Sequence, residues 1–467
     1  MFVQQFFLKG IAHSSYIVGA HEKCAIIDPR RDVEIYLKAA KEMGYRITHI
    51  LETHLHADFI SGHMDLAAKT GATIVAPKAG ACAFPHLAVS EGSEFSIEHL
   101  IFKVMETPGH TPDGVSYCVY DSSRGNEPCA IFTGDTLFVG DVGRPDLFPG
   151  IADELAAKLF DSIHRILTLP DFVEVYPAHG AGSLCGKAMS AKRTSTVGYE
   201  RRLNQSLQPS TLKEFQELLL NEMPAAPDHF SRCSETNRQG PAVLDTLPVP
   251  RALAPKEFSE YIQKGHTVID LRSPAAFGGQ HIPGSLHIDV TGNFATFAGW
   301  IVPAEKPVLL VADIPAQIEE AITQLRRVGL DIIAGWLEGS IYRWSLAGLP
   351  VTSLPQVSVH DLPIRCKEGP FTLLDGRSRK EFDSFHQEKA ILCPAPDARS
   401  VDLSSLQEPV YYICNSGHRS SMAASILMSR GVRQVVNVAG GITAWAAAGF
   451  TSRCPITYSL HGPQRDT

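Results

Sequence analysis

The chain has 467 residues, 44% hydrophobic and 20% charged, a balance that excludes a disordered protein and provides enough apolar side chain for about three cores at roughly 150 residues per domain. Acidic residues outnumber basic ones, 50 to 42, and no Lys/Arg block stands out, so the expected partner is a small molecule and not nucleic acid. No run approaches the roughly 20 apolar residues of a membrane span, and the opening MFVQQFFLKG lacks a basic stretch ahead of a long apolar one; a cytoplasmic protein without a membrane partner is expected, with a homo-oligomer left open.

In the first 180 residues, short β-rich runs (YIVG, CAIID, ITHILETH, ATIVAP, LIFKVMETPG, VSYCVYD, AIFTGD, VEVYPAHG) alternate with helical patterns such as VEIYLKAAKEMG and DELAAKLFDSIHRIL, which predicts a layered α/β domain over residues 1–228. A Pro-rich polar segment follows, and a linker is placed at 229–251. The remainder is an internal repeat. DLRSPAAF at Asp270–Phe277 returns as DGRSRKEF at Asp375–Phe382, 105 residues on, and the segment around Trp344 and Gly348 returns around Trp445 and Gly449, 101 residues on. Two homologous parallel-sheet α/β domains are expected at 252–352 and 353–455, with a tail at 456–467. The ten cysteines show no CxxC pairing or regular spacing, so neither a disulfide framework nor a zinc ribbon is expected.

Thr53-His54-Leu55-His56-Ala57-Asp58 follows the apolar strand ITHILE, and His110, Asp135 and His179 each follow a further β-rich run, so strand ends gather them into one cleft. His13, His164, His266 and His386 stand outside this constellation and read as structural. The series THxHxD, GHT, GDT, AHG resembles the metallo-β-lactamase superfamily, which implies an αββα sandwich. Many members hold two metals, the second through a His that follows the Asp of HxHxDH; here that position is Phe59. A single metal fits better, because two imidazoles and a carboxylate leave positions open for substrate and dioxygen. Spacing does not separate iron from zinc or manganese.

HADFISGH, GHTPDGVSY, GDTLFVGDVGRPDL and YPAHGAGSLCGK resemble the persulfide dioxygenase branch of that superfamily over roughly residues 1–225. The resemblance implies one Fe(II) per chain held by His54, His110 and Asp135, with His56, Asp58 and His179 as polar support. Arg144, in GRPD, is a candidate for binding an anionic group of the persulfide carrier. Cys185 is a candidate for contacting substrate sulfur, with a buried small hydrophobe as the favoured reading.

In the last repeat, Cys414-Asn415-Ser416-Gly417-His418-Arg419 joins an apolar strand to an Ala-rich helix, a setting whose inward N–H groups suit a persulfide or an anion. With DGRSRKEF before it and GGITAW after it, this segment resembles rhodanese. Cys414 and Arg419 are then the catalytic pair, and Asn415, Ser416, Gly417 and His418 the substrate-binding loop. At an offset of 101, Asp313 and Ile318 replace Cys414 and Arg419 in the earlier copy, which is expected to be inactive, a spacer or docking surface. The order of domains is similar to that of persulfide dioxygenase/sulfurtransferase fusions. It implies oxidation of a low-molecular-weight thiol persulfide by dioxygen to sulfite, coupled to sulfur transfer between Cys414, sulfite and thiosulfate. The rival readings are a zinc thioester hydrolase of the glyoxalase-II type and a non-catalytic sulfur carrier or sensor.

Overall fold

The computed structural model describes all residues except 188, 222, 224, 451–455, 460, 461, 466 and 467. The chain divides into one unit of residues 1–247 with 325–329, and another of 248–324 with 330–467. Among the described residues, no helix is long and apolar enough to cross a membrane.

The first unit is built on two six-stranded sheets. One runs in sequence order from Phe2–Leu8 to Leu87–Val89. Its first three strands pair antiparallel; the later ones become parallel where helices Glu34–Glu42 and His63–Thr70 carry the chain back across the sheet. The other runs from Glu94–Ile97 to Ser195–Thr196, with one parallel pair, Pro128–Gly134 on Glu174–Pro177, bridged by helix Ala152–Ile166.

Strand His13–Ala20 is buried at every position because it is covered on both sides. Tyr16 and Val18 point into the space between the sheets with Leu51, Val75, Phe102, Val119 and Phe132, while Ile17 turns to the helices with Tyr36, Ala40 and Leu66. On the far side, Leu155, Leu159, Ile163 and Ile166 recur at helical spacing, and Leu159 and Ile163 pack on Ile131, Val175 and Phe215. The layers are helix, sheet, sheet, helix: the expected αββα sandwich.

The segment expected as a linker at 229–251 is not one through most of its length. Helix His229–Gln239 belongs to the first unit, and its Asn237 is buried. The Asn237 amide donates to the carbonyls of His56 and Phe59, both at 2.8 Å, and accepts from the Ser61 N–H at 2.9 Å. The helix reads as linker by composition because its buried face is short, Phe230 and Cys233 beside His229 and Asn237, and the rest of it is polar.

The second unit contains two five-stranded parallel sheets of identical strand order. The repeated Asp-x-Arg has a structural cause. Arg272 donates to Asp270 at 2.9 and 2.6 Å and to the Gln280 carbonyl at 2.8 Å; Arg377 repeats this on Asp375 and the Phe385 carbonyl. Each buried pair ties the end of its strand, Thr267–Asp270 or Thr372–Asp375, to the chain beyond the next helix. Trp344 and Trp445 fill equivalent places in the two cores.

The offset of 101 needs one correction. Asp270 pairs with Val311 and Asp375 with Ile413, so the strand ends put Ala312, not Asp313, opposite Cys414. Between strand and helix the earlier copy has only 312–314, where the later has 414–417, because its helix Pro315–Arg327 begins one residue sooner; from strand to next strand the two copies have the same length. Of the expected tail, strands Ile456–Ser459 and Gly462–Arg465 pair antiparallel, and the rest lies outside the described residues, as does the end of the last repeat at 451–455.

Asn237→Ala strands two buried carbonyls and one N–H, and should lower the stability of the first unit by roughly 2–4 kcal/mol. Thermal unfolding followed alongside the parent checks this; an unchanged midpoint would return the helix to linker status.

Candidate metal centre and thiol loop

His54 follows strand Arg46–Leu51 of one sheet, whereas His110 and Asp135 follow strands Leu100–Glu106 and Pro128–Gly134 of the other. The Val115 N–H donates to the Thr53 carbonyl at 2.8 Å and ties the two strand-end loops together. His54, His110 and Asp135 are all buried, with one ligand atom from each lying within 4.8 Å of the others.

Each ligand is aimed by a partner at its far side. His110 Nδ1 is 2.8 Å from the Arg144 carbonyl, leaving Nε2 toward Asp135 Oδ2 at 3.3 Å. His54 Nδ1 is 2.9 Å from Thr53 Oγ1, which donates to Asp28 at 2.8 Å, and His54 Nε2 is 3.8 Å from the same Asp135 oxygen. Asp135 Oδ1 takes a hydrogen bond from His179 Nδ1 at 2.7 Å, so only Oδ2 faces the imidazoles. His110 Nε2 and Asp135 Oδ2 are buried without a hydrogen-bond partner.

Buried polar atoms left unpaired are costly, and here they converge, which fits a cation. The protonation states agree. Burial pushes His54 and His110 below the ordinary imidazole value, leaving lone pairs free. Burial alone would raise Asp135, but His179 and the other imidazoles outweigh it and hold the carboxyl well down. His179 is itself lifted against burial by Asp135 and Asp58, whose Oδ2 lies 2.8 Å from His179 Nε2. It is an imidazolium between two carboxylates.

His56 is turned away from the ligands toward Asp28 at 3.1 Å; burial opposes its charge, but Asp28 raises the imidazole to about 8. Phe59 is fully buried against His56 and His13, with ring centroids 4.5 and 4.2 Å away. Asp58, His179 and Cys185 do form a second donor group within 4.8 Å. Both nitrogens of His179 are already engaged there by carboxylates.

Two readings of single residues change, and the favoured reading of Cys185 stands. Arg144, expected to bind a substrate anion, is 2% exposed and its guanidinium forms a two-pronged pair with Asp146 at 2.7 Å each, with a further bond to the Leu184 carbonyl. It shapes the loop whose carbonyl orients His110. Cys185 packs with Ala57, Phe138 and Phe230, and burial, with Asp58 and Asp135 near it, pushes its thiol well up, as suits the buried-hydrophobe reading. His13, read as structural, lies in the site: its ring is 5.7 Å from His56 and 5.4 Å from His179, and neither nitrogen has a partner. Nothing beside His13 in the sequence marks it, because it comes from the edge-to-centre strand His13–Ala20 and meets the others only through the isolated bridge to His179.

In the last repeat, Cys414 is buried at the end of strand Val410–Ile413; the Gly417 N–H donates to its Sγ at 3.2 Å, and Ser420 Oγ, which donates to Asn437 Oδ1 at 2.6 Å, lies 3.3 Å from it. Gly441 sits so close beneath the loop that a Cβ would lie 2.2 Å from the Cys414 carbonyl, and its φ is +54°, which accounts for the GG of GGITAW. Arg419, expected with Cys414 as the catalytic pair, is bound through both terminal nitrogens by Glu381 at 2.8 and 2.7 Å. Burial would raise Glu381, but Arg419 draws it down to about 2. Asn415 and Ser416 are exposed and His418 is partly exposed, at the mouth of the loop.

Comparison with known proteins agrees with this division. The metallo-beta-lactamase superfamily family model matches residues 8–179, and the rhodanese-like domain model matches residues 254–347 and again 358–448. Over 158 residues, a third of the chain, the sequence is 37% identical to a hydroxyacylglutathione hydrolase of Rhodospirillum rubrum, and it spans 57% of that protein's length. A metallo-beta-lactamase from Staphylococcus aureus matches at 34% identity over 72% of this chain and 98% of its own, with a TM-score of 0.65. ETHE1 from Myxococcus xanthus matches at 29% identity over 51% of this chain and 98% of its own, with a TM-score of 0.45.

A Cβ at Gly143 would lie 1.9 Å from the Asp135 carbonyl and 2.9 Å from His110 Cβ. Gly143→Ala should therefore push the two ligands apart and lower metal retained after gel filtration by about 10- to 100-fold, while the reactivity of Cys414 toward a thiol label stays unchanged. Full metal content in the variant would show that the ligands tolerate displacement.

Proposed function

The chain belongs to the metallo-β-lactamase superfamily, with two rhodanese-like domains following that fold, and we propose that it is an Fe(II)-dependent persulfide dioxygenase with a sulfurtransferase at Cys414. The observation that carries the first part is the pocket of His54, His110 and Asp135, next to which His179 of the neighbouring donor group has both nitrogens engaged by carboxylates and Phe59 stands where a further His would be needed. Together with the motif resemblance to persulfide dioxygenases, it favours one ion with open coordination positions over a two-metal hydrolytic centre.

The overall conversion is RSSH + O2 + H2O → RSH + SO3(2−) + 2 H+. When bound, Fe(II) would supply the redox chemistry and the open positions at which persulfide and dioxygen are brought together. The chain's own residues do the rest. Neutral His54 and His110 and ionised Asp135 hold the ion, His179 keeps one Asp135 oxygen occupied, and Phe59 with its apolar ring denies a second cation a ligand. In the last repeat, the Cys414 thiolate attacks the outer sulfur of thiosulfate, the S–S bond breaks, sulfite leaves, and Cys414 carries a persulfide; the reverse transfer makes thiosulfate from sulfite. The Gly417 N–H, already at Sγ, is placed to stabilise the sulfur anion. The copy with Ala312-Asp313-Ile314 has no thiol in its loop and takes no part in transfer.

A second reading has support in the hydroxyacylglutathione hydrolase relatives: a zinc thioester hydrolase on the same fold. Metal analysis with oxygen-electrode assays on glutathione persulfide and hydrolysis assays on a glutathione thioester separates the two. One iron per chain and oxygen uptake are expected; two zinc ions and thioester cleavage would replace the dioxygenase.

His110→Ala should lose metal and at least about 100-fold of the oxygen uptake, yet keep thiosulfate sulfurtransferase activity. Cys414→Ser should do the opposite: oxygen uptake persists, and sulfite accumulates where the parent gives thiosulfate. An unchanged sulfite-to-thiosulfate ratio at short times would remove Cys414 from the reaction.

A further inference from the structure

Helix His418–Ser429 begins in the Cys414 loop and is buried without a break from Ser420 to Leu427. A lone helix on a sheet would leave one face to water. This one does not, because the cysteine-free repeat covers it: the His287 N–H of strand Leu286–His287 donates to Ser425 Oγ at 2.9 Å. Two residues beyond that strand, Asp289 Oδ2 lies 3.1 Å from His418 Nδ1, while Asp289 Oδ1 accepts from the Thr291 N–H and hydroxyl at 2.9 and 2.8 Å. The carboxylate is 11% exposed and fixed by its own turn; the His418 ring is half exposed.

From this geometry we propose that Asp289, on the cysteine-free repeat, is a positioning residue of the sulfurtransferase: it grips His418 Nδ1 at the rim of the Cys414 loop and so presents Nε2–H to the oxygens of an anionic sulfur substrate, thiosulfate or sulfite. This deepens the reading of Cys414 as sulfur carrier and rests on it. The loop's other cation, Arg419, is already paired with Glu381, so His418 is the donor at the rim whose charge can change with pH. The charged and titratable groups around it are Asp289 and His287 from the cysteine-free repeat, and Cys414, Arg419 and Glu381 from its own. His287 is buried, bonded through Nε2 to the Arg272 carbonyl at 2.8 Å, and burial lowers its pKa, so it supplies no charge.

The Asp289 hydrogen bond raises the His418 pKa above its ordinary value, and His418 in turn helps to lower Asp289 against burial. A raised value keeps the imidazolium, and with it the Nε2–H donor, to higher pH; the donor is lost as pH climbs through that value.

The test is steady-state thiosulfate:thiol sulfurtransferase kinetics of the full chain from pH 5.5 to 9. Asp289→Asn, which keeps an oxygen for Thr291, lets His418 titrate earlier. Because one pKa unit changes the protonated fraction up to about tenfold, its KM for thiosulfate at pH 8 should rise about 5- to 10-fold, with kcat within about twofold. At pH 5.5, where both proteins carry the imidazolium, the two KM values should agree. Asp289→Glu should recover part of the loss, and in a His418→Gln background Asp289→Asn should add nothing. A KM ratio that is flat with pH, or an Asp289→Asn effect that survives in His418→Gln, would overturn the proposal and leave Asp289 a packing residue. The Cys414→Ser control separates the two levels: full loss of transfer is expected, and retained transfer would overturn the Cys414 reading itself, and the Asp289 role with it.

Discussion

The two oxygens of Asp135 are used differently, and the metal pocket depends on that division. One accepts from His179, which is held as an imidazolium by Asp58 on its other side; the remaining oxygen has no partner but the two imidazoles that face it. A carboxylate free to rotate would share its charge between both directions. Fixing one oxygen leaves Asp135 a single free oxygen of set direction, and the same bond engages His179 Nδ1. Asp58, His179 and Asp135 thus act as one hydrogen-bonded row whose purpose is to aim a single atom.

The imidazoles are aimed by the same principle with different partners. The Arg144 carbonyl turns His110, and the Asp28–Thr53 pair turns His54. The buried Arg144 guanidinium matters through its backbone: gripping Asp146 and the Leu184 carbonyl, it holds the loop from which that carbonyl projects. Such support is expensive in buried charge, and buried charge of this kind is found where ligands must not move.

In the second unit, duplication has left two domains of the same strand order with different loops. The buried Asp-x-Arg pair is present in both because it fixes a strand end, whereas the loop between strand and helix is one residue shorter in one copy, whose helix begins sooner, and holds no thiol there. The altered copy still buries the helix that starts in the intact loop, so its contribution is to the shape and charge of the neighbouring site.

Sequence alone determined the elements whose signal is local. The α/β layering follows from alternating strand and helix periods, its αββα order from the resemblance to the metallo-β-lactamase superfamily, the repeat from Asp-x-Arg and Trp at matching intervals, and the candidate ligand set from imidazoles and a carboxylate placed just after apolar strands. What depends on distant segments meeting was decided only by the tertiary structure. His13 has no motif around it and joins the site because its strand runs beside His179. Arg144 looks like an anion binder until Asp146 and burial claim its guanidinium, and the polar helix His229–Gln239 looks like linker until Asn237 finds the carbonyls of His56 and Phe59. The one-residue error at Ala312 has the same origin: strand Ile333–Leu337 of the earlier copy holds, at a bulge, one residue more than Val435–Val438, so an offset read from Trp344 and Trp445 beyond it is one short at the loop, whereas strand pairing fixes the loop directly.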